Sequence, residues 1–175
     1  VHDIEHIVRG HLSLPEKVKD DIMSVYGLIA EAESHVHGVP VTEIHFHEVG
    51  TLDAVADITM FCLLIHRLAP DEIVSSPVRT GFGQVHCAHG ILPVPAPATA
   101  RLLRGIPVYA GDIRGEMCTP TGASLLRRFA SRFGEMPLMR VQAVGYGCGA
   151  KDFGSANCLR AMLGETSGSP DEIIE

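Results

Sequence analysis

From Thr80 to Thr99 the chain reads TGFGQVHCAHGILPVPAPAT. Pro93, Pro95 and Pro97 recur at every second position, and each fixes its own φ and lacks an N–H donor. This stretch is predicted to be extended and to stay out of a sheet interior, because proline is confined to strand edges, strand starts and bulges. With Gly81, Gly83 and Gly90 next to it, the irregular middle breaks any regular alternation of strand and helix. The chain therefore reads as α+β, a mixed sheet packed with three or more helices.

The helices are legible from apolar spacing. Ser13-Leu14-Pro15-Glu16 reads as a capping box with Ser13 at the N-cap. Val18, Ile22, Val25, Ile29 and Ala32 follow at three- and four-residue steps, and Gly38 and Pro40 are stop signals after His35. Val41 to His47 alternates Ile44 and Phe46 with His45 and His47, the period of a strand. Leu52 to Leu68 is a second helix, nearly apolar beyond its first turn and so predicted to be buried on most sides. Asp71–Val78 is a short strand, Pro97–Leu103 a short helix, and Thr119-Pro120-Thr121-Gly122 opens a third long helix. Val141–Tyr146 and Asn157–Leu163 read as strands joined through a glycine-rich turn.

A chain of 175 residues, 46% hydrophobic, is sized for one α+β domain. The expected domain is 1–165, with an N-terminal helical segment over 1–38 packed on it and a polar tail or linker over 166–175. The formal net charge of −7 argues against a nucleic-acid partner. No apolar run reaches the roughly 18 residues of a membrane span, so no membrane partner is expected. No secretory signal opens the sequence. Five scattered cysteines without a CxxC pair suit reduced thiols, and a cytoplasmic location is expected.

Histidine carries the chemistry. There are ten, and four fall between His35 and His47. His45 and His47 share one face of the expected strand, His35 and His37 sit at the preceding helix end, and Glu48 follows directly. Asp53 and Asp57 are four apart on the next helix. Imidazoles with added carboxylates suit nickel, zinc, copper or iron. The competing reading is a polar strand face and an ordinary helix-start aspartate. His2, His6, His11 and His66 lack such company and read as surface or packing residues.

Three further segments suggest ligand contact. Gly81, Gly83 and His86, with His89 and Gly90, belong to a stretch whose backbone N–H groups can approach a ligand. Thr119, Thr121 and Gly122 place hydroxyls and N–H groups at a helix start, which is either an anion site or a plain cap. Gly145–Gly149 reads as a hairpin turn or a phosphate loop. Cys87 between His86 and His89 reads as a soft-metal ligand or, more commonly, a buried thiol. Cys118 at the helix start would gain thiolate character, but no general base stands beside it in sequence for nucleophilic catalysis. No Walker motif occurs.

The phrases VHGVPVTEIHFHEVGTLDAVADI, GFGQVHCAHGILPVPAPATARLLRGIPV, EMCTPTGASLL, VGYGCGAKDF and NCLRAMLGE resemble, in order, the LarC family. These are the nickel-insertion proteins of lactate racemase cofactor maturation, the nickel-pincer nucleotide chelatases. The resemblance runs from about Leu12 to Glu165.

The resemblance implies nickel insertion into pyridinium-3,5-bisthiocarboxylate mononucleotide, a lyase-type cyclometallation that forms carbon–nickel and sulfur–nickel bonds. It implies CTP with Mg2+ or Mn2+ in the full-length protein, at a site outside this chain. The family's N-terminal strand motif and C-terminal CTP-associated region do not appear, so the chain is expected to be a central fragment holding metal and substrate. Nickel would be held among His35, His37, His45, His47, Glu48, Asp53 and Asp57. Glu48, His47 or His89 would remove the ring proton as base. Gly81, Gly83, His86, Thr119, Thr121 and Gly122 would hold the nucleotide, its phosphate at the helix start. Lactate racemase apoenzyme, a nickel source and a second copy of the chain are the further partners it admits. A non-catalytic nickel metallochaperone or storage module, and an oligomerisation domain with surface histidines, are the alternatives.

Overall fold

The computed structural model describes residues 2–44, 51–87 and 90–166. Backbone contacts divide the chain into two compact units, 1–133 and 134–175.

The first unit is built on α2 (Glu16–His37), with α1 (His2–Gly10), α3 (Leu52–Leu68), α4 (Pro97–Leu102) and α5 (Pro120–Phe129) around it. The apolar stripe read from sequence is the buried face of α2. Val18, Ile22, Val25, Tyr26 and Ile29 pack with Ile4 and Val8 of α1 and with Val55, Ile58 and Cys62 of α3. One turn further on, Ala32 joins a second cluster with Val78, Ala98, Leu102, Leu103, Cys118 and Ala123. One helix thus serves two cores, which is why its apolar residues run for almost its whole length.

Helix ends differ in places from expectation. α2 starts after Pro15, which has no side-chain cap, so Ser13 is not its N-cap. Glu16 instead accepts from Lys19 at 3.0 Å. Gly38 ends the helix in the left-handed region at φ 67°, its N–H bonded to the Ser34 carbonyl, as a C-terminal glycine should. Val41–Glu43 is a 3-10 turn after Pro40, not the start of a strand. His45–His47, the remainder of that expected strand, lies outside the described residues.

α3 has the expected bounds but not the expected burial. Only Val55, Ile58 and Cys62 are buried, while Leu52, Met60, Leu64 and Leu68 are more than half exposed. Its apolar composition predicts an enclosed helix, yet only one face meets α2.

The α+β class holds, with the described strands arranged in four two-stranded ladders. β1 (Val74–Ser75) runs parallel to β6 (Arg132–Phe133), and β2 (Val78–Arg79) parallel to β5 (Val108–Tyr109). β3 (Gln84–Cys87) and β4 (Gly90–Pro93) form an antiparallel hairpin inside the glycine- and proline-rich middle. That stretch therefore does contribute strands. Pro93 is tolerated because it is the last residue of β4, opposite Gln84.

The second unit is a long antiparallel ladder, β7 (Met139–Cys148) with β8 (Cys158–Thr166). Gly145 to Cys148, expected in a hairpin turn or phosphate loop, instead lie in β7 and pair with Ala161 to Cys158, so the turn begins only at Gly149. A register shift lies between Val141 and Ala143. Thr166 closes β8 rather than opening a tail, and 167–175 lie outside the described residues. Among the described residues no helix is long and apolar enough to cross a membrane.

Candidate functional site

The end of α2 and the start of α3 flank the histidine-rich segment. His35 and His37 occupy the last turn of α2, a position where the helix dipole favours a cation. His37 Nε2 lies 3.4 Å from Glu33 Oε2 one turn back. Thr51 caps α3, its hydroxyl accepting from the Ala54 N–H at 3.4 Å. Asp53 follows in the first turn and Asp57 one turn later, both on the exposed side. His45, His47, Glu48 and His89 lie outside the described residues. Among the described residues no three His, Cys, Asp or Glu side chains converge on one point, so His35, His37, Asp53 and Asp57 do not by themselves form a metal site.

Backbone hydrogen bonds place the glycine pair. The chain from Val78 to Phe82 is bonded to carbonyls of the 107–113 segment: Thr80 N–H to Tyr109, Gly81 N–H to Ala110 at 3.0 Å, and Phe82 N–H to Ile113. On its other side, Gly115 N–H donates to Phe82 O and Met117 N–H to Thr80 O. Gly81 is buried at φ 77°, and a Cβ there would overlap the Gly115 carbonyl oxygen. Its N–H is thus already taken, and what the glycine provides is close approach of three backbone segments. Gly83, at φ 96°, accepts from Val94 N–H, which ties the hairpin back to its own start. His86 stands exposed on β3 opposite Ile91.

Thr119 is the N-cap of α5 and accepts from the Gly122 N–H at 3.2 Å. Pro120 offers no N–H, and Ala123 N–H bonds the Thr119 carbonyl. An anion at this end would compete with the Thr119 hydroxyl for Gly122. Thr121 and Gly122 are half-buried, within reach of solvent.

Comparison with known proteins decides what this scaffold is. The profile of the family described as nickel insertion protein matches residues 1–175, the whole chain. The chain belongs to the nickel insertion protein family. Its relatives include the pyridinium-3,5-bisthiocarboxylic acid mononucleotide nickel insertion protein of Desulfitobacterium hafniense, 44% identical over 93% of this chain and 40% of that protein. The protein of that name from Staphylococcus saprophyticus is 43% identical over 93% of this chain and 42% of its own length. A putative nickel insertion protein of Geotalea daltonii is 43% identical over 98% of this chain and 45% of its own. The chain thus spans about 40% of the length of the curated relatives it matches. No solved structure matches.

In this member of the nickel insertion family the buried thiols are poor metal ligands, because a ligand sulfur must be ionised. Burial pushes the Cys118 thiol up to about 11, with the Glu116 carboxylate adding to it. The expectation of thiolate character at the α5 start fails, since the dipole is outweighed by lost hydration. Cys62 is pushed up to about 12, by burial first and then by Asp21. Cys87 is half-buried, with its Sγ 3.6 Å from the Gly90 carbonyl oxygen.

Two polar clusters escaped the sequence reading. Asp21 is buried on α2 and receives Lys17 Nζ at 3.1 Å and Arg128 Nη2 at 2.6 Å from α5. It edges a cleft of about 360 Å³ shared with His66, Phe129 and Ser131. The Lys17–Asp21 pair has a visible four-residue spacing, but Arg128 is 107 residues away in sequence. A second cleft of about 180 Å³ gathers Arg101, Arg104 and Arg127 around Glu31. Arg127 Nη1 is fixed there by the Leu102 and Arg104 carbonyls, each at 2.9 Å.

Proposed function

We propose that the chain is the metal- and substrate-binding portion of a chelatase that inserts nickel into pyridinium-3,5-bisthiocarboxylate mononucleotide. The observation that carries this reading is the family match along all 175 residues, joined to 44% identity with a relative of that printed name. In the full-length protein the insertion depends on CTP with Mg2+ or Mn2+, and the product serves lactate racemase in the cytoplasm.

Nickel arrives as a substrate, is taken by the two ionised thiocarboxylate sulfurs, and replaces the proton of one ring carbon. His45 and His47, with Glu48, present it, and neutral imidazole is a ligand type that nickel accepts well. His35 and His37 at the α2 end stand close in sequence to this segment and supply further imidazoles. The ring proton leaves to a carboxylate or imidazole base, for which Glu48, His47 and His89 are the candidates. The single phosphate of the substrate docks at the α5 start, where the Thr119 and Thr121 hydroxyls stand beside a positive helix end and the Gly122 N–H would exchange its bond to Thr119 for the phosphate.

Calorimetric titration of nickel into the chain, and into the His45→Ala/His47→Ala variant, tests the metal role. Binding abolished in the variant supports it, and unchanged affinity overturns it. Titration of the pincer mononucleotide then separates a chelatase portion from a carrier that holds only the ion.

A further inference from the structure

α3 carries an apolar ridge that stands open among the described residues. Leu52, Ala56, Met60, Leu64 and Leu68 recur every four residues and all are exposed, the four large ones at 75%, 55%, 57% and 54%. The opposite side of the helix, Val55, Ile58 and Cys62, is fully engaged with α2. At about 100° per residue, Met60 sits at the middle of the outward face, with Asp53 and Arg67 seven residues to either side on the same line. A solvated helix would carry polar residues at Met60 and Leu64.

The pattern of this face is symmetric about Met60. Laid antiparallel against itself across a two-fold axis at Met60, α3 sets Met60 against its own copy and Ala56 beside Leu64, with Leu52 and Leu68 about 80° off that line on opposite flanks. The same register sets Asp53 against Arg67 at both ends. A parallel arrangement would instead stack Asp53 on Asp53 and Arg67 on Arg67, and would align the two helix dipoles unfavourably. Charge, apolar match and dipole therefore favour one occupant in one orientation.

We propose that α3 is a self-association surface, on which a second copy of this chain docks antiparallel with Met60 on the two-fold axis. The interface is isologous, as closed dimers require. A single pair of 17-residue helices, about 25 Å long, buries less than a stable standard-size interface. The dimer is accordingly weak, with a dissociation constant on the order of 10 µM.

Sedimentation of the full chain over a concentration series is the first measurement. A reversible monomer–dimer equilibrium is expected, abolished by Met60→Asp with circular dichroism and urea midpoint unchanged, since Met60 supports no core. Asp53→Arg alone and Arg67→Asp alone should each weaken association about tenfold by opposing like charges. The double exchange should restore it. Met60→Cys should cross-link to itself under mild oxidation, beyond the background that wild type gives through Cys148 and Cys158. A chain that stays monomeric throughout, as it would if other protein covers this ridge, overturns the proposal. So does a dimer indifferent to Met60→Asp, or a double exchange that fails to rescue.

Discussion

The guanidinium of Arg128 on α5 reaches the buried carboxylate of Asp21 on α2 at 2.6 Å. This contact joins the last helix of the first unit to its central one. It also gives the buried Asp21 carboxylate a partner from a second helix, beside the one that Lys17 supplies from its own. Lys17 holds the other carboxylate oxygen at 3.2 Å but is itself largely solvated.

Arg128→Ala should destabilise the first unit by about 2 kcal/mol, the scale of a charge-assisted hydrogen bond to a buried group. Lys17→Ala should cost less than half as much, because an exposed partner is screened and easily replaced by water. Urea midpoints of the two variants check the order, and equal losses would refute it.

Gly81→Ala should damage folding far more than Gly83→Ala. Both have positive φ, but the added Cβ meets the Gly115 backbone at position 81 and only the flexible Arg114 side chain, at 3.2 Å, at position 83. A loss above about 3 kcal/mol at Gly81, against about 1 kcal/mol at Gly83, is expected by thermal or urea unfolding.

Stability should fall in alkaline solution through the buried thiols. Cys118 at about 11 and Cys62 at about 12 lie above the 9.0 of an ordinary thiol, so the folded state keeps its protons longer than the unfolded one. Their contribution is complete below pH 9 and is lost as pH rises toward 11 and 12. Tyr26, pushed up to about 12 by burial, acts in the same sense above pH 10. Cys118→Ala should flatten the decline measured by urea midpoints between pH 8 and pH 10. At neutral pH, alkylation should mark the exposed Cys148 and Cys158 before Cys62 or Cys118.

Thr99 is fully buried, and its hydroxyl has no hydrogen-bond partner among the described residues. Thr99→Val keeps the shape and removes the orphaned group, so it should be neutral or stabilise by up to about 1 kcal/mol. Thr119→Ala removes a cap that holds Gly122 N–H and should cost about 1 kcal/mol. Thermal unfolding of the pair distinguishes a structural hydroxyl from an idle one.

Nickel affinity should drop steeply below about pH 6.5, where imidazole takes up a proton in competition with the ion. Titrations at pH 5.5 and 7.5 should differ by more than tenfold if histidines hold the metal, and agree within error if carboxylates alone do.

The helices were legible because their signals are local. The α2 stripe, the Leu52–Leu68 span, the Thr119 cap and the Gly38 stop each depend on residues within a turn or two. α1 fell within the helical segment expected over 1–38 but not with its own bounds, because a nine-residue helix with Glu5 and His6 between Ile4 and Val8 gives too short a stripe. The β3–β4 hairpin was hidden by its prolines, which argue against a sheet unless their register places them at a strand end. Of the candidate site, the family and its chemistry were readable from HFHEVG, the PVPAPAT run and TPTGA, since motif identity survives without coordinates.

Local spacing by itself determined where the helices run and which residue types are available for nickel. Tertiary structure alone decided which face of each helix is buried. It left Met60 and Leu64 of an apolar helix in solvent, took up the Gly81 N–H in a backbone bond, and brought Arg128 across 107 residues to Asp21. Periodicity records that a residue can be buried, whereas burial itself depends on a second element arriving from elsewhere in the chain.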